Sequence, residues 1–242
     1  MRTLHRIFYA EILKLKRSRL GFILILSPLM AAMLGVMYNL NAEQPGAWPI
    51  LLSQMAMAHA VLFLPLLSGV LSAFICRYEH ANGGWKQLLS LPVSRTGVYI
   101  SKYVVVATLL LATQLIFMGA VLFIGLLKGI AEPVPWLMLV NSVLNGWLAS
   151  LPLIALQMLM AIAWASFAAP LAVNVILTLP NLMVIQSKYG IYYPWGQPSL
   201  AMLPQNDSFG INVSLETLLF VIGGSFVLFV LAGLAYINRK EI

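Results

Sequence analysis

The chain has 242 residues, of which 61% are hydrophobic and 9% charged, where an ordinary soluble domain carries about 25% charged residues. That balance excludes a soluble globular domain and defines an integral membrane protein. The net charge of +7 would fit a nucleic-acid binder, but the basic residues flank apolar runs and form no stripe on one soluble face, which excludes that partner.

Cys76 is the single cysteine, so an intrachain disulfide and a zinc knuckle are both excluded. No repeat of 20 to 50 residues is present. In residues 3 to 19, Leu4, Ile7, Phe8, Ile12 and Leu15 recur at helical spacing among Arg2, Arg6, Lys14, Lys16, Arg17 and Arg19. This pattern predicts an amphipathic helix in the membrane interface, its basic residues near anionic headgroups. A secretory signal is the rival. The apolar run that follows is too long for an h-region and lacks a convincing small-residue cleavage site, so the segment is expected to be retained.

A spanning helix needs about 20 apolar residues. Six segments meet or approach that length: Leu20 to Tyr38, Ile50 to Cys76, Tyr103 to Leu127, Leu144 to Trp164, Leu171 to Gln186, and Leu218 to Ile237. The fifth is the shortest and holds Pro180, so it is expected to tilt or to break where protein covers it. Residues 133 to 145 could extend the fourth helix or form an outer interfacial turn. With the N-terminus inside, twelve Lys and Arg residues lie on the inner side, against Lys128 and Lys188 outside. This bias requires an even number of spans and predicts six, in the cytoplasmic membrane with both termini cytoplasmic. The longest outer segment, 188 to 215, carries Tyr189, Tyr192, Tyr193 and Trp195. It reads as an interface belt followed by re-entrant or interfacial helices, or as a plain connecting loop.

The long hydrophilic interruption is 77 to 102, with Arg77, Lys86, Arg95 and Lys102. Trp85, Leu88 and Leu89 fall at i, i+3 and i+4, the apolar stripe of a short helix. Gly83 and Gly84 loosen the chain before it, and Pro92 ends it. Ser94 or Thr96 can cap the helix that follows. Such a segment is shaped either to be pushed by a partner or to rest as a solvated loop with Trp85 at the lipid interface.

None of the six segments holds Asp, Glu, Lys or Arg, which disfavours a proton- or ion-coupled carrier. His59 is the ionisable group in mid-span, with Gln54 on the same helix. It reads as an interhelical hydrogen-bond partner or as part of a substrate path. Gln114, Asn141, Asn145, Gln157, Asn174, Asn181 and Gln186 carry the same two readings. There is no phosphate-binding loop of the G-x-x-x-x-G-K-[ST] type, no H-E-x-x-H, no G-x-S-x-G and no C-x-x-C. The chain is therefore expected to be no enzyme, with no cofactor or metal of its own.

The order of parts resembles the ABC-2 type transporter permeases. The loop carries the specific part: Glu79, then Gly84-Trp85-Lys86, Leu88-Leu89, and Leu91-Pro92-Val93-Ser94-Arg95. It looks like the inner loop of the lantibiotic-immunity and bacitracin-resistance branch. Glu11 to Lys16 and Ser27-Pro28 fit the same branch. The resemblance implies an all-α permease with a coupling helix at Gly84 to Leu91 that docks on a separate ATPase, and a polar contact from Glu79 to the N-terminal helix. It implies two copies of an ATP-binding subunit that holds ATP and Mg, and a second permease, identical or homologous. The implied substrate is an amphipathic antimicrobial peptide, exported for self-protection. Two rivals are an ABC-2 permease for a drug, lipid or ion, and a membrane scaffold or sensor without a transport path.

Overall fold

The computed structural model describes residues 8–11, 13–14, 20–80, 84–90, 93–203 and 215–240. Residues 8–11 and 13–14 are helical, and the rest of the expected interfacial helix lies outside the described residues. The bundle then runs α1 (Leu20–Met37), α2 (Ala47–His80), α3 (Gly84–Ser90), α4 (Arg95–Leu127) and α5 (Trp136–Ala163). It continues with α6 (Ala168–Thr178), α7 (Asn181–Val184), a single 3₁₀ turn (Gly190–Tyr192), α8 (Gln197–Met202) and α9 (Leu215–Arg239). Among the described residues there is no strand. This suits a chain whose backbone groups must find partners without water.

Four helices, α2, α4, α5 and α9, are long and apolar enough to cross a membrane. At 1.5 Å per residue, α2 and α4 are each about 50 Å long, well beyond a hydrocarbon core of about 30 Å. α1 and α6 are shorter apolar helices, and the 11 residues of α6 reach only about 17 Å. The fifth expected segment is a broken element, the second of the two forms expected for it. Pro180 offers no N–H to the carbonyl four residues back, so the helix stops there and resumes as the single turn of α7.

α2 is mostly buried and packs on α5, α4 and α6, while α9 turns much of its surface outward. At His59–Phe63 α2 widens into one π turn, with Leu64 N–H bonded to the His59 carbonyl. Pro65 follows directly and removes the N–H that would have served the Val61 carbonyl. That carbonyl is served instead by Asn181 Nδ2 at 2.6 Å. The broken fifth element therefore satisfies the backbone of the second.

Two expected loops are largely helical. Residues 77–80 complete α2, and 95–102 form the first turns of α4, where the Ser94 hydroxyl accepts from Gly97 N–H at 3.1 Å. The expected outer loop 188–215 folds inward in its first half. α8 packs on α5, the Ser142 hydroxyl donates to the Met202 carbonyl at 2.8 Å, and Gln197 and Ser199 are fully buried. Residues 204–214 lie outside the described residues.

Candidate functional site

The chemistry of this chain gathers at two levels of the bundle. The first is the end where α2, α5 and α9 finish and α4 begins. Glu79 near the end of α2, Lys102 two turns into α4, and Glu11 and Lys14 of the N-terminal segment form a closed ring of charge. Lys14 Nζ lies 2.9 Å from Glu11 Oε1 and 2.8 Å from Glu79 Oε1. Lys102 Nζ lies 3.0 Å from Glu11 Oε2 and 2.9 Å from Glu79 Oε1, and also donates to the Ile75 carbonyl. Glu11, Glu79 and Lys102 are buried, and Lys14 is open on one side. Two acids and two bases cancel, which is what makes their burial tolerable. Burial works against the Lys14 ammonium, but the carboxylates of Glu79 and Glu11 outweigh it and raise its pKa. The ring clamps the N-terminal segment to the starts and ends of two long helices.

α3 sits beside this ring. Gly84 lies so close to α2 that a Cβ there would meet the Tyr78 carbonyl oxygen at 2.7 Å and Glu79 Cα at 2.9 Å. Trp85 is 6% exposed and turned into the chain itself. Its indole meets the His80 ring edge-on at 5.8 Å, and Lys240 Nζ lies 5.4 Å from the ring centre. His80 Nε2 donates to the Ala161 carbonyl at 2.8 Å, and Lys240 Nζ to that of Ile162 at 2.6 Å. Lys86, Gln87 and Ser90 face outward. The side chains of Leu88 and Leu89, and all of Leu91 and Pro92, lie outside what is described. Arg95 caps α9, donating to the carbonyls of Ile237, Asn238 and Lys240 at 3.2, 3.2 and 2.7 Å. A cation on the last carbonyls of a helix is favourable.

The second level is the polar interior. Ser27 of α1 bonds His59 Nδ1 at 2.6 Å, and His59 Nε2 bonds Gln114 Oε1 of α4 at 3.0 Å. With the Gln114 oxygen facing the ring, Nε2 carries the proton and Nδ1 accepts from the Ser27 hydroxyl. The imidazole stacks on Phe117 at 4.1 Å. The Gln114 amide also reaches Met202 Sδ of α8 at 3.3 Å. Asn174 of α6 is a second hub. Its Oδ1 accepts from Gln157 Nε2 at 2.7 Å and Trp195 Nε1 at 2.8 Å, while its Nδ2 donates to the Pro65 and Leu66 carbonyls. Asn174 reaches α2 over Gly69, where any Cβ would fall inside van der Waals contact with the amide. Gln54 stands apart, on the wall of a cleft of about 550 Å³ between α1, α2 and α6 that is otherwise mostly apolar. Asn145 is half-buried on α5.

The sequence placed Glu79, His59, Gln114, Gln157 and Asn174 among candidate polar sites, but not Glu11, Lys102 or Ser27 as their partners. Lys102 was readable only as a loop charge, because its partner Glu11 stands 91 residues earlier.

These features define the class: a helical membrane protein with a polar interior and a structured, charge-locked face at one end. A family model described as ABC-2 family transporter protein matches residues 7–181 of the 242. The chain belongs to that family and is the permease subunit of an ABC transporter, the membrane component, which has no ATPase of its own. Membership implies association with an ABC ATP-binding subunit. Among curated proteins, none matches the chain in sequence.

Proposed function

We propose that this permease exports an amphipathic antimicrobial peptide from the membrane, in a complex of two permease subunits, identical or homologous, and two ATP-binding subunits. In this reading six segments cross the cytoplasmic membrane, with α6 and α7 together as the fifth, and the Arg77 end faces the cytoplasm. ATP and Mg are held by the partner. Glu79 and Gly84 seat α3, and Lys86 with Leu88 and Leu89 meets the ATPase. Leu91 and Pro92 end that contact, while Trp85 and Arg95 brace it from inside the chain.

The observation that carries the reading is the bracing of α3. Gly84 ties it to α2, Trp85 to His80 and Lys240, and the charge ring joins that corner to α4 and the N-terminal segment. A push on α3 would move four helix ends together. For the cargo, support comes from the cleft lined by Leu34, Met37, Met57 and Leu182 with Gln54 as its amide, which suits an amphipathic molecule taken from lipid. The same lining suits a lipid or apolar drug, which is the second reading.

The test is pull-down of the cognate ATPase by wild-type and Leu88→Asp permease, followed by ATPase assays of the complex with peptide, lipid and drug. We expect wild type to retain the ATPase, Leu88→Asp to lose it, and a cationic amphipathic peptide to stimulate hydrolysis. Equal recovery of the ATPase removes the coupling assignment. Stimulation by lipid or drug alone moves the cargo to the second reading.

A further inference from the structure

At the Arg77 end, the last turns of α2 and α5 and the first turn of α6 enclose a pocket of about 200 Å³. Ala73, Arg77 and His80 line one wall, at the helical spacing that puts them on one face of α2. Ala161 and the turn 165–167 line the other, and Pro170 closes it. The Arg77 guanidinium lies 5.6 Å from the centre of the Phe167 ring. Among the described residues it makes no ion pair, although every carboxylate of the charge ring is matched to a lysine on the same end of the bundle. No acidic residue lines the pocket. Ser166 also lines the pocket and is exposed, so the lining offers a second donor.

We propose that this pocket holds the headgroup of one anionic phospholipid, its phosphate on Arg77 and Ser166 and its acyl chains along α6. Three features select a lipid over a soluble anion. Apart from Arg77, His80 and Ser166 the lining is apolar. α6, whose first turn lines the pocket, leads away from it with an exposed apolar flank, where Val175, Ile176 and Leu179 are 44%, 64% and 68% exposed. Trp164, at 40% exposure, marks the interface depth at its rim. Basic pockets between helices at the membrane surface recognise acidic lipid headgroups by this combination of point charge and apolar support. Phe167 holds the guanidinium in place by its ring face, which orients the cation without neutralising it. The bound lipid would bridge α2, α5 and α6 next to α3. The inference requires only a membrane protein, and neither the cargo nor the direction of transport enters it.

The full-length protein, purified in detergent, is titrated with phosphatidylglycerol or phosphatidylcholine of identical chains, and bound lipid is counted by native mass spectrometry. Wild type should retain one phosphatidylglycerol about fivefold more strongly than phosphatidylcholine, the scale of one basic residue at a membrane surface. Arg77→Gln should abolish the preference. Ala165→Phe should do the same by filling the pocket while leaving the charge, which covers the case that Arg77→Gln folds poorly. Lys188→Gln, on the outer segment, should leave the preference intact. Equal retention of the two lipids by wild type overturns the proposal, as does a preference that survives either pocket substitution. Release of the lipid by millimolar inorganic phosphate would assign the pocket to a soluble anion and overturn it too.

Discussion

At the scale of single residues, the ring of Glu11, Lys14, Glu79 and Lys102 makes a graded prediction. Removing either lysine leaves two carboxylates to share one cation. The two positions differ in what can replace the lost charge. Lys14 has a third of its side chain open, so water can take its place, and its loss should cost about 1 kcal/mol, as for exposed pairs. Lys102 is closed on every side, and breaking a buried pair costs about 3–5 kcal/mol. Lys102→Met should therefore lower the thermal midpoint in detergent far more than Lys14→Met, followed by tryptophan fluorescence. Equal losses would mean that the ring is hydrated and carries no clamp. The resemblance implied a polar contact from Glu79 to the N-terminal helix, and Lys14 makes it across 65 residues. The pairing of Lys102 with Glu11 across 91 residues was not visible, because Lys102 sat in a hydrophilic stretch and Glu11 in a basic one, and such a pair has no local signature. His59 was visible because an ionisable group in an apolar run stands out, but its partners Ser27 and Gln114 were not.

At the scale of elements, α2 is joined to α6 and α7 by backbone exposure on one side and amide side chains on the other. Pro65 strips a partner from Val61, and Asn181 supplies it. Asn174 lies across Gly69 one turn on. Gly69→Ala should drive α6 off α2, with an overpacking cost of about 1–3 kcal/mol. Asn174→Ala removes the group that the new methyl would strike, so the double variant should lose less stability than the sum of the two single ones. Additive losses in thermal melts would show that the amide does not pack on Gly69. The long helices were legible from hydropathy alone, since few patterns other than a membrane span sustain 20 apolar residues. The end of α2 was not. It runs on to His80 because polar residues at a helix end can be paired inside the protein, and hydropathy counts them as loop. The start of α4 at Arg95 was, because Ser94 was readable as a cap. The break at Pro180 had a local cause and was readable. The π turn depends on neighbours and was not, while a helix within 188–215 was one of the two alternatives the sequence left open, and only neighbours decide between them.

At the scale of the whole molecule, the ends of the bundle differ in charge, and α3 is the part of the charged end that reaches outward. Single cysteines at Glu43 and Lys188, both exposed, should react with an impermeant maleimide in intact cells, and one at Lys86 should not. Cys76 is buried and should stay silent. Labelling at Lys86 from outside would reverse the orientation. The same helix then separates bracing from docking. Trp85 spends its apolar surface inside its own chain, so Trp85→Ala should cost the isolated permease about 3–5 kcal/mol, as loss of a buried aromatic does. Lys86 faces out, so Lys86→Glu should leave that stability within about 0.5 kcal/mol yet cut recovery of the ATPase by reversing a charge at the contact. If instead Trp85→Ala melts like wild type and loses the ATPase, its indole must leave the chain to anchor the partner. If Lys86→Glu recovers the ATPase in full, the partner does not meet the outer face of α3. A fall in stability for Trp85 and in recovery for Lys86 would show that one short helix is held by one face and pushed by the other.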